Sequence, residues 1–557
     1  MVELGWRTGG DRGDGWVALV GPELEENLSL RYLSSSLETA GFPTRIVSFN
    51  CADDFGPVLR TLLGAAQPPL LVGLSLSFQW RAMDFLSLAM ALKRDGYGGH
   101  VTAGGHFASL SCGEILSDFP ELDSILRGEA EHSIVRLARC LLDGRPLSEV
   151  PGIALRDRGG PIVFGELEAK PALESLSWPD RRGERVAILG HGVAPLVSGR
   201  GCYAGCAFCC IATFHRRTLP GPRLRLRPPE DVAGEMAWLN RERGIDIFIF
   251  HDDNFLLADE KKSLERIEAL ANAVDECGIG PYATVVKARP NDITDATVRC
   301  LKERFGLIRL FLGVESNSEQ GLRTLGRGVT PEQNARALAT LRSREVYVCF
   351  NVLLFDPDTT LDGLRTNLTL IEENGDYPSN FGRVELYAGT PLLERMLREG
   401  RAFGDYLQWD YLLASREMQR VFELAMRCFF PRNFAAGALA NRLMGTRLDA
   451  EVCRRFHPAV FREEWLREAE ELTRALARDS ARSMRKIVEF VEAGPGGPDE
   501  EDSFVAALSE RLHAVDAELA IRAESLEKLL RDVSGRCTVT EAPERGSASV
   551  GGSHANR

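Results

Sequence analysis

Gly201-Cys202-Tyr203-Ala204-Gly205-Cys206-Ala207-Phe208-Cys209 sets three cysteines at Cys-x3-Cys-x2-Cys spacing. Three thiolates at this spacing can converge from one loop on a single metal centre. Thiolates suit zinc or iron–sulfur clusters. A closed structural zinc site takes four ligands, so three leave one position open for a substrate or cofactor. Two plainer readings stand beside this one. Cys210 or His215 completes a zinc knuckle, or the thiols pack as small hydrophobes. The chain's 13 cysteines are otherwise scattered, a usage that in a cytosolic protein points to metal or catalysis rather than disulfides.

Downstream of this loop, apolar runs alternate with helical patterns. Candidate strands lie at 195–198, 245–250, 282–287, 308–314, 346–355 and 383–387. Six β–α units fit a partial or full β/α barrel over 191–402, with chemistry at the C-terminal strand ends. A doubly wound sheet fits the same periodicity. Upstream, runs at 16–20, 44–49, 70–76, 100–103 and 123–126 alternate with helical patterns in a first domain spanning 1–150. That alternation predicts a parallel sheet covered by helices on both faces, with ligands at the carboxyl strand ends. Residues 151–190 read as a connector with a small hairpin near 153–164. Residues 403–534 read as mostly helical, broken by a Gly/Pro-rich loop at 493–502, and 535–557 as a disordered tail.

The 557 residues carry 67 Lys and Arg against 80 Asp and Glu, a net charge of −13. That balance argues against nucleic acid as a general partner. The Arg-rich stretch from Arg216 to Arg227 is read as solvated or substrate-facing. No run reaches the ~18 apolar residues needed to cross a bilayer. The N-terminus lacks an apolar signal core, so a cytoplasmic location and no membrane partner are expected.

The cysteine spacing, with Phe208 before the last cysteine, resembles the radical S-adenosylmethionine (SAM) superfamily. The resemblance implies a 4Fe-4S cluster held by Cys202, Cys206 and Cys209, with SAM on the remaining iron; Cys210 is a neighbour. Other strings fall at later strand ends in family order. They are Phe250-His251-Asp252-Asp253-Asn254-Phe255, Lys287 with Arg289, Gly313-Val314-Glu315-Ser316, the segment opening at Asn351, and Tyr387-Ala388-Gly389-Thr390-Pro391-Leu392. The resemblance implies SAM contacts from Phe208, Asp252, Asp253, Asn254, Lys287, Glu315, Ser316 and Asn351. On their own, Asp252 or Asp253 also reads as a helix cap, and Glu315 as an ion-pair partner.

The first domain resembles the cobalamin-binding domain that precedes many radical SAM barrels. The matching stretches are Glu26 to Leu33, Ser75 to Gln79, Gly104-Gly105-His106-Phe107-Ala108-Ser109, and Arg127-Gly128-Glu129-Ala130-Glu131. Expected cobalamin contacts are Ser75, Ser77, Phe78, Gln79, Gly104, Gly105, His106, Ser109, Gly128 and Glu129. An ordinary flavodoxin-like domain and a domain that has lost cobalamin are the alternatives. No Asp-x-His-x-x-Gly string is present, so cobalamin is expected without a protein histidine on cobalt, its lower face toward 75–79.

The fold expected is thus α/β: an N-terminal doubly wound sheet of flavodoxin-like, cobalamin-binding type, a partial β/α barrel of radical SAM type, and a helical C-terminal region. The resemblance implies a cobalamin-dependent C-methyltransferase for a specialised metabolite or peptide, supplied with electrons by a flavodoxin or ferredoxin. Ring contraction, cyclisation or another rearrangement is the second reading. A non-catalytic cobalamin- or zinc-binding protein is the third. Shared chemistry requires that the first domain cap the barrel mouth, with its Gly104 loop turned toward the cysteines.

Overall fold

The computed structural model describes residues 15–156, 160–218, 220–494 and 497–540. Its first sheet consists of β1 (Val17–Gly21), β2 (Thr44–Ser48), β3 (Leu71–Ser75), β4 (His100–Gly104), β5 (Ser124–Leu126), β6 (Ile153–Arg156) and β7 (Ile162–Phe164). The strand order is β2-β1-β3-β4-β5-β6-β7. The first five strands run parallel, and β6 and β7 add an antiparallel edge. Helices on both faces explain why Val17, Ala18, Leu19 and Val20 form an unbroken apolar run, all 0% exposed. The order reverses between β1 and β3, which opens a crevice at their carboxyl ends. The hairpin expected in the connector is part of this sheet, since β6 pairs with β5. The front unit therefore continues past 150 to Phe164.

The second sheet consists of β8 (Val186–Ile188), β9 (His191–Leu196), β12 (Ile245–Phe250), β13 (Ala283–Ala288), β14 (Leu307–Glu315), β15 (Tyr347–Phe355) and β16 (Ser379–Arg383). A two-stranded ribbon, β10 (Gly199–Arg200) and β11 (Arg225–Leu226), follows β9. The order is β16-β15-β14-β13-β12-β9-β8, with β8 as the antiparallel edge. From β9 to β16 the sequence order never reverses. Right-handed crossovers then lay every helix on one face, giving a partial barrel rather than a doubly wound sheet. On the outer face Phe248, Leu310 and Phe350 pack against Val232, Leu270, Leu338 and Leu364 of the helices. On the inner face Ile247, Val285, Tyr347 and Cys349 pack against Leu448 and Val452 of the helix Leu439–Phe456.

Four expectations are corrected. The last barrel strand is Ser379–Arg383, not 383–387, and the residues up to Thr390 form the loop before helix Pro391–Arg398. Residues 402–411 are a β-hairpin, β17 (Ala402–Asp405) and β18 (Gln408–Tyr411), where a helix was expected. Leu407 and Tyr411 share a helical period by coincidence, and packing on the front domain decides instead. Tyr406 stacks on Phe107 at 6.4 Å between centroids, and its hydroxyl donates to Asp118 at 2.8 Å. The loop expected at 493–502 is shorter, because the last helix, Pro498–Thr540, begins inside it. This helix carries the chain through Gly535, where a disordered tail was expected; residues 541–557 lie outside the described residues, as do 1–14. The other C-terminal helices are Arg416–Asn433 and Glu463–Glu492.

Candidate functional site

Gly201 opens the cysteine loop at φ +90°, and a Cβ there would lie 1.7 Å from the carbonyl oxygen of Arg223. Only glycine fits this crossing of the loop and the β11 ribbon. Cys206 is buried, and its Sγ accepts N–H bonds from Arg289 and Arg327, each at 3.2 Å. Cys202 and Cys209 are partly exposed, and the Cys202 Sγ accepts from the Ala204 N–H at 3.4 Å. Burial holds Cys202 above the usual thiol range, and pushes Cys209 up to about 11 and Cys210 to about 12. A metal taken up by these thiols would have to displace their protons. Cys210 begins the helix Cys210–Thr218.

A polar network fixes the loop to the barrel rim. The Tyr203 hydroxyl donates to Asp292 at 2.6 Å, Asn254 donates to the other Asp292 oxygen at 2.9 Å, and the Asn254 carbonyl oxygen accepts from the Arg289 N–H at 3.1 Å. Asn254 thus braces Arg289, which in turn holds Cys206. Asp252 is structural: 2% exposed, it accepts from the Ser198 N–H at 2.7 Å and hydroxyl at 2.6 Å and pairs with Arg266 at 3.4 Å. Ser316 is also interior, its carbonyl accepting from Asn334 at 2.8 Å.

The rest of the set faces the rim. Asp253 accepts from the Gly201 N–H at 3.0 Å, and burial raises its carboxyl to about 6. Lys287 Nζ lies 3.4 Å from His251 Nδ1, its ammonium pushed below the usual lysine range by burial. Glu315 ends β14 at φ +63°, a conformation uncommon for a side chain of its size. Burial raises its carboxyl while Arg327 and Arg289 oppose the shift. Asn351 is the exposed residue of β15 among buried neighbours. Phe208 packs against the outer core.

The front domain sits over this rim. A cavity of about 240 Å³ is lined from the front domain by Ser75, Ser77, Gly104, Gly105, Gly128 and Glu129, and from the barrel by Gly199, Arg200, His251 and Asp253. His106, Phe214 and His215 complete the wall. Its apolar end lies against Leu19, Leu30, Leu33, Leu126 and Ile134. Gly105 stands at φ +104°, and a Cβ there would meet Ser77 Oγ at 2.8 Å. Ser109 braces the wall from behind, accepting the Gly128 N–H at 3.0 Å. Phe78 is half exposed and packs toward Trp80. Gln79 is buried away from the cavity; in the amide orientation that satisfies both groups, it donates to the Leu386 carbonyl at 3.2 Å and accepts from Trp409 N–H at 2.9 Å.

Sequence reasoning passed over Arg200, quoted Glu131 only within a matching stretch, and weighed His215 only as a zinc ligand. Arg200 bonds Glu129 at 2.9 Å and Glu131 at 2.7 Å, and Arg225 pairs with the other Glu129 oxygen. The arginine-rich stretch thus divides. Arg225 and Arg227 turn into buried ion pairs, while Arg216, Arg217 and Arg223 are exposed. The signal for Arg200 was its place two residues before Cys202, but its partners lie some 70 residues back in another domain. Among the described residues no three His, Cys, Asp or Glu side chains converge on a single metal ion.

Residues 196–367 match the radical SAM superfamily. This segment is a radical SAM domain. The chain is 29% identical to the hopanoid C-3 methylase of Methylococcus capsulatus over 338 residues, 60% of this chain and 61% of that protein. It is 27% identical to the anaerobic magnesium-protoporphyrin IX monomethyl ester cyclase of a Synechocystis strain, over 44% of this chain and 48% of that protein. The chain spans about half to two thirds of the length of such relatives. A cobalamin-dependent SAM radical enzyme solved with aqua-cobalamin and SAM superposes at TM-score 0.65 and 18% identity, covering 95% of this chain and 80% of that one. The radical SAM methyltransferase of Kitasatospora setae, with cobalamin and a [4Fe-4S] cluster, gives 0.57 at 18% identity over 69% of this chain and 75% of that one. Both share the fold.

The radical SAM domain implies a 4Fe-4S cluster and SAM, and the residues present fit them. Two guanidiniums converge on the buried Cys206 sulfur, a donor set suited to an anionic sulfur centre. The front-domain cavity joins a glycine cradle and an apolar slot to buried polar atoms without hydrogen-bond partners among the described residues, Glu131 Oε2, His215 Nδ1 and His251 Nε2, a lining suited to an amide-bearing cofactor.

Proposed function

We propose that this chain is a cobalamin-dependent radical SAM enzyme that methylates an unactivated carbon of a small molecule or peptide. The observation that carries this reading is the shared cavity, with the Gly104 loop on one wall and Arg200, His251 and Asp253 of the barrel on the other. When bound, the cluster with SAM supplies hydrogen-atom abstraction and cobalamin supplies the methyl group. The chain's part is to hold and orient. Cys202, Cys206 and Cys209 hold the cluster, and Arg289 and Arg327 offset the charge on the Cys206 sulfur. Asp253, Lys287, Glu315 and Asn351 are placed to orient SAM or substrate at the rim. The front domain roofs the rim and keeps water from the reacting carbon, whose misplacement by about 1 Å can cost ~10²-fold in rate. Arg223 is exposed, its Nη1 4.0 Å from a Cβ on Gly205, so the surface beside the cysteine loop suits an acidic electron carrier such as a flavodoxin or ferredoxin.

The test is anaerobic incubation with SAM, a reductant and cobalamin, followed by mass spectrometry of candidate substrates. A product heavier by one methylene, together with 5′-deoxyadenosine, supports the proposal. Turnover without that gain points to the second reading, a cyclisation or rearrangement. The cyclase among the relatives keeps that reading in view. Protein from cells supplied with cobalamin should carry about one per chain. Electron paramagnetic resonance of its reduced cobalt should show no imidazole nitrogen coupling, because the Asp-x-His-x-x-Gly string is missing.

A further inference from the structure

Outside the cysteine loop, the barrel puts one helix against the front domain. In that helix, Cys210–Thr218, Phe214 meets His106 edge to face at 4.4 Å between centroids. The next residue, His215, is 5% exposed and lines the shared cavity. Its Nε2 lies 3.4 Å from where a Gly201 Cβ would stand, so the ring is wedged between the cysteine loop and the front domain. Its Nδ1 has no hydrogen-bond partner among the described residues. Glu129 Oε1 is nearest at 3.9 Å, and that carboxylate is already held by Arg200 and Arg225.

A buried polar atom left without a partner is destabilising, and such atoms normally have a partner that explains them. The imidazole is neutral, since burial lowers its pKa to about 3 and nearby Lys170 and Arg225 push the same way. A neutral imidazole carries one N–H donor and one acceptor nitrogen, so a group that offers both a donor and an acceptor suits it. Primary amides ring the rim of a corrin, and each offers both an N–H and a C=O.

We infer that His215, from the radical SAM domain, binds the cofactor seated in the front domain by a hydrogen bond from its imidazole to a peripheral amide of cobalamin. The inference rests on the cobalamin reading above. It makes cofactor retention depend on a residue outside the front domain.

The experiment reconstitutes the full chain with iron and sulfide, then titrates hydroxocobalamin into the parent protein, His215→Phe and His215→Gln. Bound cobalamin is read by absorbance after desalting, and iron by chelation. Phenylalanine keeps the ring's bulk against Phe214 but has no nitrogen; the glutamine amide can both donate and accept. His215→Phe should weaken cobalamin binding about tenfold, equal to ~1.4 kcal/mol, with iron content unchanged. His215→Gln should stay within about threefold of the parent. If His215→Phe also loses iron, the glutamine variant decides: a loss near tenfold there overturns the inference. Parent-like affinity in His215→Phe overturns it too. So does imidazole nitrogen coupling in the parent that vanishes in His215→Phe, since the ring would then sit on cobalt. A parent protein that takes up no cobalamin removes the underlying reading, which is a different result from a variant that binds as tightly as its parent.

Discussion

Cys206→Ala protein, reconstituted anaerobically, should hold almost no iron, against about four per chain in the parent. Its broad iron–sulfur absorbance and its cleavage of SAM to 5′-deoxyadenosine should disappear together. Of the three cysteines, Cys206 is the buried one and receives both guanidiniums. On the proposed ligand set, alanine removes one ligand and also leaves Arg289 and Arg327 facing each other across an apolar methyl. Cys202→Ala and Cys209→Ala should likewise lose the cluster, through the missing ligand alone. Cys210→Ala is the control. Cys210 opens a helix and its thiol is held protonated to about 12, so iron and absorbance should match the parent. A Cys210→Ala protein as empty as Cys206→Ala would mean the ligand set is misassigned.

The largest effect on stability is expected at Glu235, which does not line the shared cavity. Its side chain is 1% exposed and bonds Arg181 at 2.7 Å and Arg227 at 2.6 Å. Arg181 belongs to the segment between the two sheets and also pairs with Glu26 of the front domain. Glu235→Ala strips the central carboxylate from two guanidiniums that are each 3% exposed. Breaking a buried pair on one side costs about 3–5 kcal/mol, most of it from the charge left behind. Against a typical stability of about 5–15 kcal/mol this should abolish folding at 37 °C or lower the urea midpoint sharply. Glu235→Gln, which keeps an acceptor for one arginine, should fall between the two. Circular dichroism through a urea series decides it. A midpoint for Glu235→Ala within error of the parent would mean the network adds nothing.

Much of this architecture can be read without coordinates, for a physical reason. Parallel strands covered on both faces must be continuously apolar, and runs such as Val17 to Val20 and Ile247 to Phe250 meet that demand locally. The cysteine loop is equally local, since its ligands fall within one turn of chain. Features fixed by distant partners escape such reading. The 402–411 hairpin carries helical spacing, yet Tyr406 finds Phe107 and Asp118 nearly 300 residues away. Gln79 sits in a loop expected at the cofactor, but Leu386 and Trp409 take its amide. Asp252 belongs to a motif that reads as ligand-facing, and Ser198 and Arg266 claim it for structure. His215 appears in sequence only as a stray metal ligand. Its exposure to a cavity wall emerges once the helix after the cysteines is seen pressed against the front domain.

Arg200 bears on how such a protein can change over generations. Its guanidinium, 16% exposed, rests on Glu129 and Glu131 of one domain while its backbone leads into the first cysteine of the other. A lineage that exchanged its front domain for one lacking those carboxylates would leave a nearly buried cation beside the cysteine loop. The two halves are therefore expected to descend as a matched pair. In related chains the residues at positions 129, 131 and 200 should covary. A chimera of two such proteins should fold well only when its parents agree at all three.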